Sequence, residues 1–215
     1  RFRPSDLSST LSALETDEAF RDRLDFERVA VVGFFMGGYS ALALAGVELD
    51  DELLANSCAQ EARTPDCEWF NSGGINLQTL DLKEIVQPKR SVRDTRVRAV
   101  VSIDPEWIQS ASEQSFNNLS ASAHFINVGP WGQTESVLNA TSIAKAIPGA
   151  SYTKIAAAGS FSTFGVCTEN GPTILQEAGE DVRLCQDGNA EKPRADIHRR
   201  LVAVVTGLLN VALDR

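Results

Sequence analysis

The stretch "RVAVVGFFMGGYSALALAG", residues 28–46, decides the fold. It opens with an apolar, β-branched run that predicts a buried strand, continues through the glycine-rich turn 33–38, and ends in a helix-forming run from Tyr39 to Ala45. Strand, sharp turn and helix in this order are the layout of the nucleophile elbow, G-x-S-x-G, whose central residue stands above the carboxyl edge of a sheet. In this chain the central residue is Phe35, for which the elbow layout predicts a positive φ and a strained backbone. Gly33, Gly37 and Gly38 are the small residues that would let the strand and the helix approach closely around the turn.

The composition is that of one globular domain. The chain has 215 residues, of which 43% are hydrophobic and 23% are charged, enough to bury a real core. Its formal net charge is −9, and the basic residues are scattered apart from a short cluster within 89–98, so we expect no nucleic-acid partner. No apolar run reaches the roughly 18 residues that a transmembrane helix needs. The N-terminus shows neither a signal peptide nor an initiator methionine, as in a mature form or a fragment.

Strand and helix signals alternate along the chain. Buried strands are predicted at 28–34, 96–104, 123–129 and 151–159. Helical patterns fall between the strands and at the C-terminus, where apolar residues form one stripe, so we expect a mainly parallel sheet with helices on both faces. The polar, interrupted segment at about 50–95 is predicted to be a loop or cap insertion in a single domain, 1–215.

The four cysteines form two pairs that are local in sequence, Cys58 with Cys67 and Cys167 with Cys185. Neither pair has the C-x-x-C spacing of zinc or redox sites, and the two histidines lie near neither pair, so no metal is expected. Two loop-closing disulfides are the favoured interpretation, and they would place the protein in an oxidising compartment, either secreted or periplasmic. Reduced, buried thiols in a cytosolic protein are the alternative.

Several motifs follow the elbow in a recognisable order: "IDPEW", "FINVG", "AIPGASYTKI" and "AAAGSFSTFGVC". Together with the elbow they resemble the C-terminal portion of α/β-hydrolases of the dienelactone hydrolase and platelet-activating-factor acetylhydrolase type. The resemblance covers nearly the whole chain and is weak in the insertion. It implies an α/β-hydrolase-like fold and a carboxyl-ester hydrolase activity of the lipase or esterase kind, without a cofactor.

The resemblance also assigns the catalytic positions. Ester hydrolysis of this kind needs a serine nucleophile, a histidine base and a carboxylate that orients the imidazole. The nucleophile position is Phe35, the histidine position is Ser160 and the acid position is Asp104, while the amide of Met36 is the matching oxyanion-hole donor. The phenyl ring of Phe35 cannot act as a nucleophile, and Ser160 cannot act as a general base near neutral pH. The chain is therefore predicted to be inactive as written.

Two hypotheses follow from these substitutions. The chain is either a carboxyl-ester hydrolase by descent with an altered triad, or a pseudoenzyme or binding module that keeps the former acyl pocket for a protein partner or a small apolar ligand, such as an ester or a lipid-like molecule. The aromatic residues that would line this pocket are Phe34, Phe35, Trp107, Phe161 and Phe164. The alternative is that these side chains belong only to the core.

The resemblance implies further strands upstream of the elbow strand. About 27 residues precede that strand, enough for one helix with a Leu7, Leu11 and Leu14 stripe, whereas family members place several strands there. Four parallel strands alone would leave an apolar edge open. We therefore expect that the N-terminal strands are missing and that an N-terminal segment or a partner chain completes the sheet.

Overall fold

The structure, a computed structural model, describes residues 2–60, 67, 72–74, 92–129, 137–159, 161–186 and 192–214. Its described part contains one sheet of four strands: β1 (Val29–Phe34), β2 (Val97–Ile103), β3 (Ser122–Val128) and β4 (Ser151–Ile155). All neighbouring strands are parallel, and their order is β1-β2-β3-β4. The predicted α/β class is therefore confirmed, with the four strands close to their predicted bounds.

Seven described helices surround the sheet. They are α1 (Phe2–Thr16), α2 (Met36–Ala45), α3 (Asp51–Gln60), α4 (Glu113–Phe116), α5 (Thr141–Ala146), α6 (Gly171–Glu177) and α7 (Arg194–Leu213). Short 3-10 turns occur at Ile108–Ser110 and Val182–Cys185. None of the described helices is both long and apolar enough to cross a membrane.

The helices cover both faces of the sheet, as predicted. On one face, α2 and α5 pack through residues such as Leu42 and Ala144 against Val100 and Phe125. On the other face, α7 packs through Ile197 against a second buried cluster that includes Val101. Each strand therefore contributes alternate side chains to two separate apolar layers, which is the expected arrangement for a parallel sheet.

The junction between β1 and α2 is packed backbone against backbone. A Cβ atom added at Gly33 would lie 1.9 Å from the carbonyl oxygen of Gly37, and one added at Gly38 would lie 2.8 Å from Ser102 Oγ and 3.2 Å from the carbonyl oxygen of Ile103. Only glycine fits where the strand and the first turn of the helix approach so closely. The predicted role of these small residues in the elbow is thus visible in the packing.

The cysteines differ in part from the sequence prediction. Cys167 and Cys185 form the predicted disulfide, although α6 lies between them where a loop was expected. The backbone of Cys58 belongs to α3 and not to a loop. Cys67 is buried and disulfide-bonded, but the side chain of Cys58 lies outside the described residues, so the pairing of these two residues stays a prediction.

A buried arginine holds the disulfide-closed segment against the domain. Arg194, the first residue of α7, is 4% exposed. Its guanidinium donates to the carbonyl oxygens of Gly165 (2.9 Å), Leu184 (2.8 Å) and Gln186 (2.9 Å). Both ends of the 165–186 segment are therefore bound to one side chain as well as to each other.

We predict that Gly33→Ala destabilises the protein by about 3 kcal/mol or more, since the new methyl group overlaps backbone atoms that cannot move independently. The matched control is Gly37→Ala, whose added carbon meets nothing within 4 Å and lies in the first turn of α2. The control should be neutral or stabilising by up to about 1 kcal/mol. Urea unfolding of both variants measures the difference, and equal stabilities would contradict the close packing.

Candidate functional site

Residue 35 has the backbone geometry of an elbow. Phe35 joins β1 to α2 with φ 51° and ψ −122°, a conformation that L-residues rarely adopt and that costs about 1 to 3 kcal/mol. Its N–H donates to the carbonyl oxygen of Ile103 (3.0 Å), and its own carbonyl oxygen accepts from the N–H of Tyr39 (3.2 Å). The positive φ that the elbow pattern predicts for Phe35 is therefore present. Backbone hydrogen bonds to β2 and to α2 hold the residue in this conformation.

Two further residues near this turn have positive φ. Asp104 (φ 44°) directly follows β2, and Trp107 (φ 59°) precedes the next 3-10 turn. With Phe35 they are the only non-glycine residues with positive φ in the part of the chain that the structure describes. Strained residues gather at functional sites because the surrounding structure must hold them there. Their grouping at the carboxyl edge of β1 and β2 marks this edge as the candidate site.

Four phenylalanine rings form a cluster at this edge. The rings of Phe34 and Phe35 are stacked, with centroids 3.8 Å apart, although the residues are neighbours in sequence. Phe164 contacts Phe34 edge-on (5.6 Å), Phe35 at a tilt (6.1 Å) and Phe161 edge-on (5.8 Å). All four are only partly buried. The structure therefore brings together four of the five aromatic residues that were predicted to line a pocket.

Trp107 belongs to a separate aromatic pair. Its ring packs edge-on against Tyr39, with centroids 5.6 Å apart. Burial, together with the negative charge of Glu48, raises the pKa of Tyr39, which keeps its phenol protonated. Sequence analysis did not single out Tyr39, although its place in the first turn after the elbow was a usable signal.

The turn that follows β4 positions two of the rings. Ser162 is fully buried, and its hydroxyl accepts a hydrogen bond from the N–H of Gly159 (2.8 Å) while its own N–H donates to the Gly159 carbonyl oxygen (3.0 Å). The N–H of Phe164 donates in turn to the carbonyl oxygen of Phe161 (3.0 Å). Ser160, the predicted histidine position, lies outside the described residues, so its proximity to Phe35 stays a prediction.

Asp104 is a buried carboxylate at the same edge, 1% exposed. Its Oδ1 accepts hydrogen bonds from Asn127 Nδ2 (3.0 Å) and from the N–H of Val128 (3.0 Å). Asn127 also donates to the carbonyl oxygen of Leu138 and accepts from the N–H of Ala140. The asparagine therefore fixes the carboxylate and the 138–140 segment in one network. Sequence analysis missed Asn127. The signal for it was an amide side chain within "FINVG", an otherwise apolar strand.

Burial raises the pKa of Asp104 to about 7, while the hydrogen bonds from Asn127 and Val128 act in the opposite direction. A carboxyl group in this state can hold a proton near neutral pH. In the described part of the chain neither histidine contributes to its hydrogen bonds. His124 bonds instead to Ser151 in the amino half of the sheet, and His198 lies on α7.

In the part of this edge that the structure describes, two of the groups that acyl transfer needs are absent. Phe35 offers no lone pair, and no general base contacts Asp104 among the described residues. Met36 begins α2, so its N–H is a first-turn donor without an intrahelical partner and fits the predicted oxyanion position. No group of three or more potential metal ligands occurs in the described residues. The geometry of a hydrolase elbow is therefore present without its nucleophile.

A cavity of about 360 Å³ lies away from this edge. It is bounded by α5, by the turn Pro148-Gly149 and by Tyr152, and it therefore opens near the amino end of β4. None of the residues that form its wall belongs to the elbow or to the phenylalanine cluster. Ligands of parallel sheets bind beyond the carboxyl ends of the strands, so this cavity is not part of the candidate site.

Comparisons of the chain with family models, with curated proteins and with solved structures found no match. The resemblance to the dienelactone hydrolases and acetylhydrolases therefore stays a prediction from the residues alone.

We predict that Asp104→Asn removes a pH dependence of stability. Because the pKa of Asp104 is raised above its unfolded value, the folded state binds a proton that the unfolded state has lost, so stability falls as the pH rises from about 4 to about 7. The variant should match the parent near pH 4 and be the more stable protein at pH 8. Thermal unfolding across this range measures the effect, with Asp22→Asn, at an exposed carboxylate, as the control. An unchanged slope in Asp104→Asn would contradict the assignment.

Proposed function

We propose that this chain carries an α/β-hydrolase scaffold of the carboxyl-ester hydrolase type, and that its altered site binds a small apolar ester or a lipid-like ligand without hydrolysing it. The observation that carries the proposal is the geometry of Phe35. The residue keeps the positive φ of a nucleophile, yet its ring stacks on Phe34 and contacts Phe164. Strained backbone of this kind persists where the position of the side chain matters for function. We therefore assign the ring of Phe35 to the ligand site.

The phenylalanine cluster supports an apolar ligand. Ligand sites are lined mainly by apolar and aromatic side chains with a few polar groups that set orientation. The cluster offers partly exposed ring faces and edges beside the first-turn amide of Met36. An uncharged ester fits this lining better than an anion does, because the nearby carboxyl group of Asp104 would repel an anion whenever it is ionised.

The disulfide supports an oxidising environment for this function. Cys167 and Cys185 close the segment that follows Phe164, and Arg194 holds both ends of the segment. Disulfides persist in secreted and periplasmic proteins and are rare in a reducing cytosol. We propose that the protein works in a secreted or periplasmic setting, where its ligand is an extracellular ester or lipid.

Binding can be tested with p-nitrophenyl butyrate as the probe, by titration calorimetry at neutral pH. We predict that Phe164→Ala weakens binding roughly 10-fold, since the ring at the centre of the cluster is lost from the lining and one aromatic contact with the ligand would contribute about 0.5 to 1.5 kcal/mol. Phe20→Ala is the control, because Phe20 is 47% exposed and lies outside the cluster. Equal affinities for the two variants, or no binding by the parent, would refute the proposed ligand site.

Catalysis is tested with the same compound. We predict that the parent chain shows no saturable release of p-nitrophenol, because neither a nucleophile nor a base occupies the matched positions. Turnover that a serine-directed phosphonate abolishes would show an active esterase. The double variant Phe35→Ser with Ser160→His restores both groups, and the phosphonate should label it but not the control pair Phe35→Ala with Ser160→His. We expect the double variant to turn over slowly, because it has one matched oxyanion-hole donor and losing one donor costs about 10² to 10³ in kcat.

A further inference from the structure

The solvent-facing side of α7 changes character along the helix. Its first part, 194–200, contains charged side chains in every turn, whereas no residue in 201–213 is charged. A surface helix normally carries charged and polar residues on the side that faces solvent and apolar residues on the side that faces the core. The second part of α7 therefore has the composition of a helix that is contacted on both sides.

The side of this second part that points away from the sheet is exposed. Leu208 packs on the inward side, against the cluster that includes Ile197. The exposed residues of the opposite side, which we call the outer face, are Val202, Ala203, Thr206, Gly207, Asn210 and Val211. Its two valines are 64% and 58% exposed, and a Cβ atom added at Gly207 meets nothing within 4 Å. The outer face is thus uncharged and, in the part of the chain that the structure describes, uncovered.

Charges of opposite sign stand at the two ends of the outer face. Arg200 lies just before the face and Asp214 just after it, and both residues are exposed. At a rise of about 1.5 Å per residue they are about 21 Å apart along the helix, too far to pair with each other. Gly207 lies midway between them in sequence. A second α7 that runs antiparallel and crosses at Gly207 therefore brings each arginine beside the aspartate of the other helix.

We propose that the outer face of α7 binds a second copy of this chain, in a two-fold symmetric pair of antiparallel helices. Gly207 then meets Gly207 of the second copy, and the helices approach closely because neither residue has a side chain. Val211 packs against Ala203 of the second copy, and Arg200 pairs with Asp214 of the second copy. Each of these last two contacts occurs twice, because a two-fold interface uses the same patch on both subunits.

A second copy fits the outer face better than a lipid surface does. Helices that lie on membranes carry lysine and arginine along their polar side, and anionic lipids attract them. This chain has a formal net charge of −9, which opposes approach to an anionic surface, and one end of the outer face is the acidic Asp214. The proposed pairing instead uses both the arginine and the aspartate.

The interface is small, so the dimer should be weak. One pair of helices buries less than the roughly 1,600 Å² of a standard interface, and we expect a Kd of about 10 to 100 μM. The proposal is independent of the proposed ligand, because the outer face points away from the sheet and from the phenylalanine cluster at its edge.

Sedimentation equilibrium over about 1 to 500 μM measures the dimer. We predict that Val211→Glu weakens it at least 10-fold, since the symmetry buries two new carboxylates in one interface. The matched control is Ile174→Glu, which makes the same change of charge at an apolar residue of α6 that is 60% exposed. The control should dimerise as the parent does, and circular dichroism checks that both variants keep the parent's fold.

Reversal of the end charges tests the antiparallel orientation. Arg200→Asp and Asp214→Arg should each weaken the dimer about 10-fold, because each places like charges together at both ends of the helix pair. The double variant restores opposite charges across the interface and should dimerise within about 2-fold of the parent. A parallel pair brings Arg200 beside Arg200 of the second copy and predicts no such recovery.

Cross-linking tests the crossing point. Gly207→Cys should form a disulfide-linked dimer under mild oxidation, since two residues that meet at the two-fold axis have the short Cα separation that a disulfide needs. Ile174→Cys is the control and should stay monomeric. A chain that is monomeric at every concentration, a dimer that Val211→Glu leaves intact, or single charge reversals without recovery would overturn the proposal. Binding of a monomeric chain to phosphatidylcholine vesicles that Val211→Glu abolishes would assign the outer face to lipid and overturn it as well.

Discussion

The contact of Gly33 with Gly37 is the constraint on which the candidate site depends. Because no Cβ separates these residues, the first turn of α2 lies directly on the end of β1. The chain must therefore reverse within one residue, and Phe35 takes a positive φ. The N–H of Phe35 reaches the end of β2 at Ile103, so the same reversal ties two strands together at their carboxyl ends. The direction of the Phe35 side chain follows from the backbone and not from the choice of side chain.

The carboxyl group of Asp104 is the second constraint at this edge. A carboxylate without a cation is costly to bury, and the two hydrogen bonds to its Oδ1 offset only part of that cost. The network of Asn127 nevertheless holds the group in one orientation, together with the 138–140 segment. In a serine hydrolase a fixed carboxylate orients the imidazole of the base. Here no described histidine contacts the carboxyl group, whose hydrogen bonds come from Asn127 and Val128.

Sequence patterns predicted the elements whose signals are local. Alternating apolar runs and glycine positions gave the four strands and the strained turn at Phe35, because these depend on periodicity and on backbone sterics. They did not indicate the buried Arg194, which acts through carbonyl groups that are distant in sequence. The local signal for Asn127, an amide in an apolar strand, does not reveal that its partner is Asp104. The pairing of Trp107 with Tyr39 was missed for the same reason. Contacts of this kind depend on how the elements pack, and a pattern along the chain carries no such information.

Two opposing energies act on Phe35 in this turn, the strain of its backbone and the contacts of its ring. The strain at a positive φ costs about 1 to 3 kcal/mol for a bulky side chain. The ring of Phe35 contacts Phe34 and Phe164, and two such contacts contribute roughly 1 to 3 kcal/mol together. These opposing terms are of similar size, so the aromatic contacts offset strain of the order that the backbone imposes at this position. Glycine at this position would relieve the strain but would remove both contacts. The side chain of Phe35 is therefore part of what stabilises the turn that holds it.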